Sequence, residues 1–327
     1  MKKLRLVIVE MQFAPFLSIW SSSPARRHFS LRYDRIVHPY LLHNFEIRDT
    51  SAPLLSPGQV GFMNGWGVFT TIRVCEGVLF AFDRHYQRIK RDAARMHVPF
   101  DLAAPELEKA LSRLVAANRA QDATLRIAVV RNKGGLFESP DIGRASEIIA
   151  FTADLANWAD GLNLSYVPHG RHAASPFAGT KFTSWAQNLT WYEEARERGF
   201  DEVVLLNEDG QVSECTSANI FVVDGDRVLT PPTESSGCLA GVTRAILLEE
   251  LQIPGITISE RELTPSELES ADQVFVTSTT RDLLPVLSIE GEPLAQNREV
   301  FQELKQAFTA YRKAYVADAM TTRLTNA

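Results

Sequence analysis

Lys181 lies in the run Gly179-Thr180-Lys181-Phe182-Thr183-Ser184-Trp185-Ala186-Gln187-Asn188, directly ahead of an amphipathic segment. About thirty residues later comes Val212-Ser213-Glu214-Cys215-Thr216-Ser217-Ala218-Asn219-Ile220-Phe221. A lone lysine is most often a solvated surface charge. Followed at this distance by a glutamate among Ser, Thr and Asn, inside apolar residues, it has a second use. Its amine can form a Schiff base with an aldehyde cofactor, and the glutamate can hold a ring nitrogen protonated. A ring so charged is an electron sink for a carbanion at a substrate α-carbon. The plainer alternative for Glu214 is a strand-end side chain facing water.

Such a cofactor would carry a phosphate, and three places suit one. Leu239-Ala240-Gly241-Val242-Thr243-Arg244 puts a glycine, two backbone N–H groups and a hydroxyl at a helix start, a ready anion site. Ser278-Thr279-Thr280 ends a strand with three hydroxyls. Arg88, in His85-Tyr86-Gln87-Arg88, is a residue type suited to bidentate phosphate contact. Each has a bland reading too: Gly-x-Thr starts many helices for capping reasons, and Arg88 could sit on a solvated face beside Arg84, Lys90 and Arg91.

The elements that must position these residues fall into two units. Residues 39–155 read as a small α+β domain. Trp66 to Val74 is β-branched and aromatic, hence a strand, and turns at Glu76-Gly77 into a second strand, Val78 to Phe82. Asp83 is the expected N-cap of a helix from Arg84 to Met96. Pro105 to Asn118 forms another helix, with Leu107, Leu111, Leu114 and Val115 on one face. Leu125 to Val130 and Ile148 to Thr152 are further strands. A linker is expected at 156–162, and 163–327 forms the larger domain, opened by a strand near Leu162 to Val167. Its elements are a helix from Thr183 to Arg198, strands at Glu202–Leu206, Ser217–Val223 and Arg227–Leu229, and a helix Val242 to Leu251. A strand Val274 to Thr277 and a closing helix Glu299 to Asp318 follow. No internal repeat or low-complexity segment is evident.

The bulk numbers exclude several classes of function. The chain has 327 residues, 45% hydrophobic and 23% charged, with a net charge of −6. No basic patch alternates with aromatics, so nucleic acid is not an expected partner. The three cysteines, Cys75, Cys215 and Cys238, are odd in number and widely spaced. They suggest neither a disulfide framework nor a metal site, and point to a reducing, cytoplasmic compartment. Residues 1–38 differ from the rest. Met1-Lys2-Lys3-Leu4-Arg5 and the run to Trp20 imitate a secretory signal, but Glu10, Gln12 and Pro15 interrupt it. A flexible extension or a start placed too early accounts for them better. No other stretch approaches the roughly 18 apolar residues of a membrane span.

Together the motifs resemble fold-type IV pyridoxal-phosphate enzymes. That family includes branched-chain and D-amino-acid aminotransferases, R-selective amine transaminases and aminodeoxychorismate lyases. The resemblance covers residues 39 to 318. It rests on His85-x-x-Arg88, Lys181, Glu214-x-x-x-x-Asn219, Gly241-Val242-Thr243-Arg244 and Thr277-Ser278-Thr279-Thr280 with Pro285-Val286, in this order and spacing. It implies a small α+β domain followed by a larger α/β domain, with pyridoxal 5′-phosphate between them, in a homodimer. By the resemblance Lys181 is the Schiff-base lysine and proton shuttle, and Glu214 pairs with the pyridine nitrogen. Arg88, the backbone of Val242 and Thr243, and Thr279 hold the phosphate, with Thr280 beside it and Asn219 and Gly241 in the cofactor motifs.

The subfamily is not readable in the same way. Branched-chain members often carry Tyr five positions after the lysine, where this chain has Ala186. The D-amino-acid branch places an Arg and a His after the third strand, and Asn132-Lys133-Gly134-Gly135-Leu136-Phe137-Glu138 holds neither. Gly67 to Val74, Val129-Val130-Arg131 and Ser213-Glu214-Cys215 look like the lyase branch, whereas Trp185 and Gln187 match none closely. Phe69, Arg73, Arg131 and Trp185 are the candidate substrate contacts. The leading expectation is transfer of an amino group between an amino acid, branched-chain-like or glutamate, and a 2-oxo acid. The alternative is a 4-amino-4-deoxychorismate lyase using the same lysine and cofactor. A third reading, a non-catalytic binding protein, sits badly with Lys181 and Glu214 both present.

Overall fold

The computed structural model describes residues 36–325 apart from 137 and 141. The signal-like segment thus lies outside the described residues. Of the expected 1–38 extension only the last three are described, and Val37 and His38 already belong to a strand. The described chain falls within one compact unit.

The first sheet is antiparallel throughout. Its members are β1 (Val37–His43), β2 (Glu46–Asp49), β3 (Gly67–Cys75), β4 (Val78–Leu79), β5 (Ala123–Arg131) and β6 (Ser146–Ala153), in the order β2-β1-β6-β5-β3-β4. A short helix, α1 (Val60–Asn64), precedes β3. Helices α2 (Phe82–Arg95) and α3 (Ala104–Ala117) join β4 to β5. Side chains alternate along a strand. Val68, Ile72 and Val74 of β3, with Leu125, Ile127 and Val129 of β5, enter one core with Leu107, Leu111 and Leu114 of α3 and Tyr86 and Ile89 of α2. The spacing of the α3 leucines places them on one helical stripe, and each such side chain contributes roughly 1.5–3 kcal/mol by burial. The opposite face of the sheet carries Phe69 and Thr71 on β3. In register with them come Ala128 and Arg126 on β5.

The turn into α2 departs from expectation. The second strand ends at Leu79 rather than Phe82, because Ala81 adopts a left-handed conformation (φ 54°) and caps α2 by its backbone. Asp83 therefore lies within the first helical turn, where its charge favours the helix dipole without capping.

The second sheet holds β7 (Leu162–Val167), β8 (Glu202–Leu206), β9 (Val212–Cys215), β10 (Asn219–Asp224), β11 (Arg227–Thr230), β12 (Thr257–Glu260), β13 (Gln273–Ser278), β14 (Asp282–Ile289) and β15 (Glu292–Pro293). Its order is β12-β11-β10-β13-β14-β7-β8-β9, with β15 on β14. Helices α4 (Ala186–Glu197), α5 (Thr233–Ser236), α6 (Val242–Glu249), α7 (Pro265–Ser270) and α8 (Glu299–Thr325) complete it. The pairs β14/β7, β7/β8 and β11/β12 are parallel. Parallel neighbours need a crossover, and for β7 and β8 it is the loop 168–185 plus α4. Lys181 rides on that crossover.

Two further expectations shift. The strand expected at Ser217–Val223 is β10, which starts at Asn219, and an unexpected strand, β9, precedes it across Thr216-Ser217-Ala218. The helix expected from Thr183 starts at Ala186, because Thr183 and Ser184 are held elsewhere: both hydroxyls donate to the Gly65 carbonyl, at 2.7 and 2.9 Å. Among the described residues no helix is long and apolar enough to cross a membrane.

Candidate active site

The lysine segment is an extra rung beside β3. Phe69 N–H donates to the Lys181 carbonyl (3.0 Å), Thr183 N–H donates to the Gly67 carbonyl (2.9 Å), and Phe182 bridges Val68. From the helix side, buried Asp92 of α2 accepts from the Lys181 N–H at 3.1 Å and from Arg91 at 2.7 Å. Arg95 donates to the Ala178 carbonyl. The loop thus leaves β7, is pinned to the first sheet and α2, and returns to α4.

Lys181 as a whole residue is half-buried. Its Nζ lies 4.6 Å from the centre of the Phe69 ring. Burial, and next the neighbouring Arg88 guanidinium, lower the ammonium from its usual range to about 7. Arg126 acts in the same direction, and Glu214 and Asp92 oppose it. At pH 7 about half of the amine is therefore free to act as nucleophile or base.

Arg88 is buried on α2, and burial pulls its guanidinium down to about 10. Its Nη2 donates to the Thr70 hydroxyl at 2.6 Å, and that hydroxyl lies 2.9 Å from His85 Nδ1. Burial, then Arg88 and Lys181, push His85 well below its usual value, so it stands as a neutral imidazole. The Arg88 Nε has no partner. Arg88 lines a pocket of about 540 Å³ between α2 and the start of α6, shared with Arg84, Gln87, Gly241 and Val242.

Behind the Gly241 side of that pocket packs Asn219. At the start of β10, its Nδ2 donates to the Leu239 carbonyl at 2.8 Å. Its Oδ1 fills the space where a Cβ on residue 241 would go. Only glycine allows this approach; Gly241 is the N-cap of α6, and Val242 and Thr243 form its first turn, where N–H groups lack intrahelical partners. Asn219 pairs with Thr277 across β10 and β13, and the buried Thr277 hydroxyl has no partner. Ser278, Thr279 and Thr280 continue from it, half-buried. A buried guanidinium with an unpartnered Nε, an unpartnered hydroxyl and a glycine cradle fit a phosphate group.

Glu214, on β9, is buried. Its Oε2 accepts from the Leu239 N–H (3.1 Å) and its Oε1 from Arg171 Nε (3.0 Å). Arg171 also reaches Asn188. A carboxylate so fixed retains acceptor capacity for a ring N–H.

The four substrate-contact candidates separate. Phe69 and Trp185 meet edge to face, centroids 6.1 Å apart, beside Lys181. Arg131 spends its guanidinium on the carbonyls of Lys133 and His97 and on the Trp66 face. Arg73 lies four residues along β3 from Phe69, about 13 Å at strand rise, where it acts on Cys75. The arginine that does reach the site is one that pattern reading passed over, Arg126, stacked on Phe69 at 3.9 Å. Its signal was a charged residue inside the apolar strand Leu125 to Val130. Asp92, Arg171 and Thr277 were likewise missed. The first hides in a charged helix and the second in a stretch without periodicity. Thr277 was noted only as part of the strand-end motif.

The amino-transferase class IV family model matches residues 67–289. The D-alanine aminotransferase of Bacillus licheniformis is 28% identical over 276 residues, 78% of this chain and 89% of that protein. A putative branched-chain-amino-acid aminotransferase of Methanocaldococcus jannaschii is 29% identical over 257 residues, 77% and 89% respectively. The fold recurs in the Escherichia coli branched-chain amino acid aminotransferase (TM-score 0.77, 23% identity, 84% of this chain and 95% of that one). It recurs also in a branched-chain amino acid aminotransferase from T.th. solved with pyridoxamine 5′-phosphate (TM-score 0.74, 21% identity, 85% and 96%). Fold-type IV architecture and the match across most of the sequence agree: the chain belongs to the class IV aminotransferase family.

Proposed function

We propose that this protein is a pyridoxal-phosphate-dependent aminotransferase that moves an amino group between an amino acid and a 2-oxo acid. The observation that carries the reading is a lysine lowered to about 7 by burial and by a neighbouring buried arginine, which has an unpartnered Nε and itself lines a pocket at a helix start. Family membership, and a structural relative that holds pyridoxamine 5′-phosphate, support the choice of cofactor. When bound, pyridoxal phosphate supplies an aldehyde that condenses with amines and a ring that accepts an electron pair from the substrate α-carbon.

The chain's own residues do the rest. Arg88, the N–H groups of Val242 and Thr243, and the hydroxyls of Thr277 and Thr279 hold the phosphate. Thr280 supports that turn. Asn219 shapes the cup, and Glu214 accepts the ring N–H. Lys181 Nζ, as the free amine, takes the proton from the substrate α-carbon and holds it for return. Phe69 and Trp185 wall the reacting end against water, and Arg126 offers the cation for a substrate carboxylate.

The test is a visible absorbance titration of the purified protein, loaded with pyridoxal phosphate, against L-glutamate and D-alanine in parallel. Bleaching by one of them, reversed by a 2-oxo acid, is the expected result. A protein that takes up no cofactor overturns the reading. So does one that releases pyruvate and 4-aminobenzoate from 4-amino-4-deoxychorismate without amino transfer.

A further inference from the structure

Away from the lysine, a charged pair lies wholly inside the second sheet. Glu202, at the first position of β8, has no exposed surface, and Arg281, just before β14, is nearly as deep. Arg281 Nη2 donates to Glu202 Oε2 at 3.1 Å. Its Nη1 donates to the hydroxyl and the carbonyl of Ser217, at 2.9 and 3.3 Å. Glu202 accepts in addition from the hydroxyls of Ser217 (2.7 Å) and Thr216. The Arg281 guanidinium stacks on Trp158 at 4.1 Å, and Trp158 Nε1 donates to the Thr280 carbonyl at 3.0 Å.

A buried ion pair is poor evidence of stability, because desolvation offsets most of the attraction. What this pair does is geometric. Ser217 sits in the turn between Glu214 and Asn219. Arg281 follows the turn that presents Thr279 and Thr280, and its own N–H donates to Ser278 Oγ. The guanidinium fork therefore fastens one turn to the other. From Thr216 the ties continue: Asn188 Nδ2 donates to the Thr216 carbonyl at 2.9 Å, and Arg171 bonds both Asn188 and Glu214.

We propose that Arg281, held by Glu202, is a positioning residue that sets the phosphate-side turn 278–280 in register with the ring-side residues Glu214 and Asn219. Arg281 does not line the pocket beside Arg88. It fixes the spacing between two groups that must grip a rigid ligand at both ends at once. The inference rests on the cofactor reading above.

The experiment compares wild type, Glu202→Gln/Arg281→Met and Arg281→Lys. The double variant leaves no unpaired buried charge, and Arg281→Lys keeps the charge but lacks the second arm for Ser217. The readouts are the melting temperature without cofactor, the Kd for pyridoxal 5′-phosphate, and the wavelength of the visible band on binding. The expected result is a double variant that melts within a few degrees of wild type, binds at least tenfold more weakly and shows a displaced band. Arg281→Lys falls between. A double variant with a Kd within twofold of wild type and an unmoved band overturns the proposal, whatever its melting temperature. If the double variant does not fold, Arg281→Lys decides by the same measures: fivefold weaker binding supports the proposal and unchanged binding ends it. A wild type that binds no pyridoxal phosphate sinks the cofactor reading instead, a separate outcome.

Discussion

Replacing Arg126 by Gln tests the electrostatics of the lysine directly. Arg126 and Lys181 share the Phe69 ring, their charges 3.9 and 4.6 Å from its centre. They can thus be no further apart than about 8.5 Å, a repulsion of roughly 0.5 kcal/mol at the dielectric of water and roughly 2 at an effective value near 20. Removing the cation stabilises the ammonium, so the lysine titrates higher, by about 0.4 to 1.4 pH units. Starting from about 7, the free-amine share at pH 7 falls from about a half to between about 0.3 and about 0.04. The assay is the rate at which cofactor-free protein captures pyridoxal phosphate, followed across pH, since only the free amine attacks. Wild type should rise through a midpoint near 7, and Arg126→Gln through one displaced upward. A wild-type midpoint above 9, or a variant midpoint that stays put or moves down, refutes the account of how this lysine is activated.

Other perturbations separate site from scaffold. Gly241→Ala drives a methyl into Asn219 Oδ1. Pyridoxal phosphate retention on dialysis should drop at least tenfold with the circular dichroism unchanged, and full retention would show the cradle to be irrelevant. Arg131→Met loses bonds to Lys133 and His97. It should lower the melting temperature yet leave KM for amino donor and 2-oxo acid within about twofold, given the median worth of scaffold contacts, whereas a large KM rise would return Arg131 to the substrate. Leu111→Ala opens a cavity in the first core, where Leu111 is fully buried. Urea unfolding should show a loss of about 2–5 kcal/mol, and a loss under 1 would mean that the core around α3 packs too loosely to feel the missing side chain.

Periodic and chemically singular residues were legible in the sequence. The leucines of α3 and the alternation of β3 announce their faces, because burial enforces a period. Lys181, Glu214 and Gly241 stand out because few residue types do what they do. Residues whose role depends on a distant partner were not legible. Arg126 and Arg131 are two arginines on one strand. Alternation puts them on opposite faces, but only the register between β3 and β5 sets Arg126 over Phe69 beside the lysine. Arg171 meets Glu214 across 43 residues of sequence, and no local pattern encodes that encounter. The helix start at Ala186 was misjudged for the same reason, since the carbonyl that holds Thr183 and Ser184 belongs to Gly65.

The rung that the lysine segment forms beside β3 makes Lys181 a rivet. Its chain belongs to the β7–α4 crossover, but its carbonyl, and the N–H two residues on, are hydrogen-bonded into the first sheet. Any local opening that peels the crossover from β3 must carry the lysine away from its pocket. A ligand captured by the lysine and held by the rest of the pocket opposes that peeling by RT ln(1 + [L]/Kd), about 2.7 kcal/mol at a hundredfold excess over Kd. Loading the enzyme therefore tightens a seam. Amides along that seam, Phe69 and Thr183 among them, should exchange with solvent as a group, and more slowly once the site is filled.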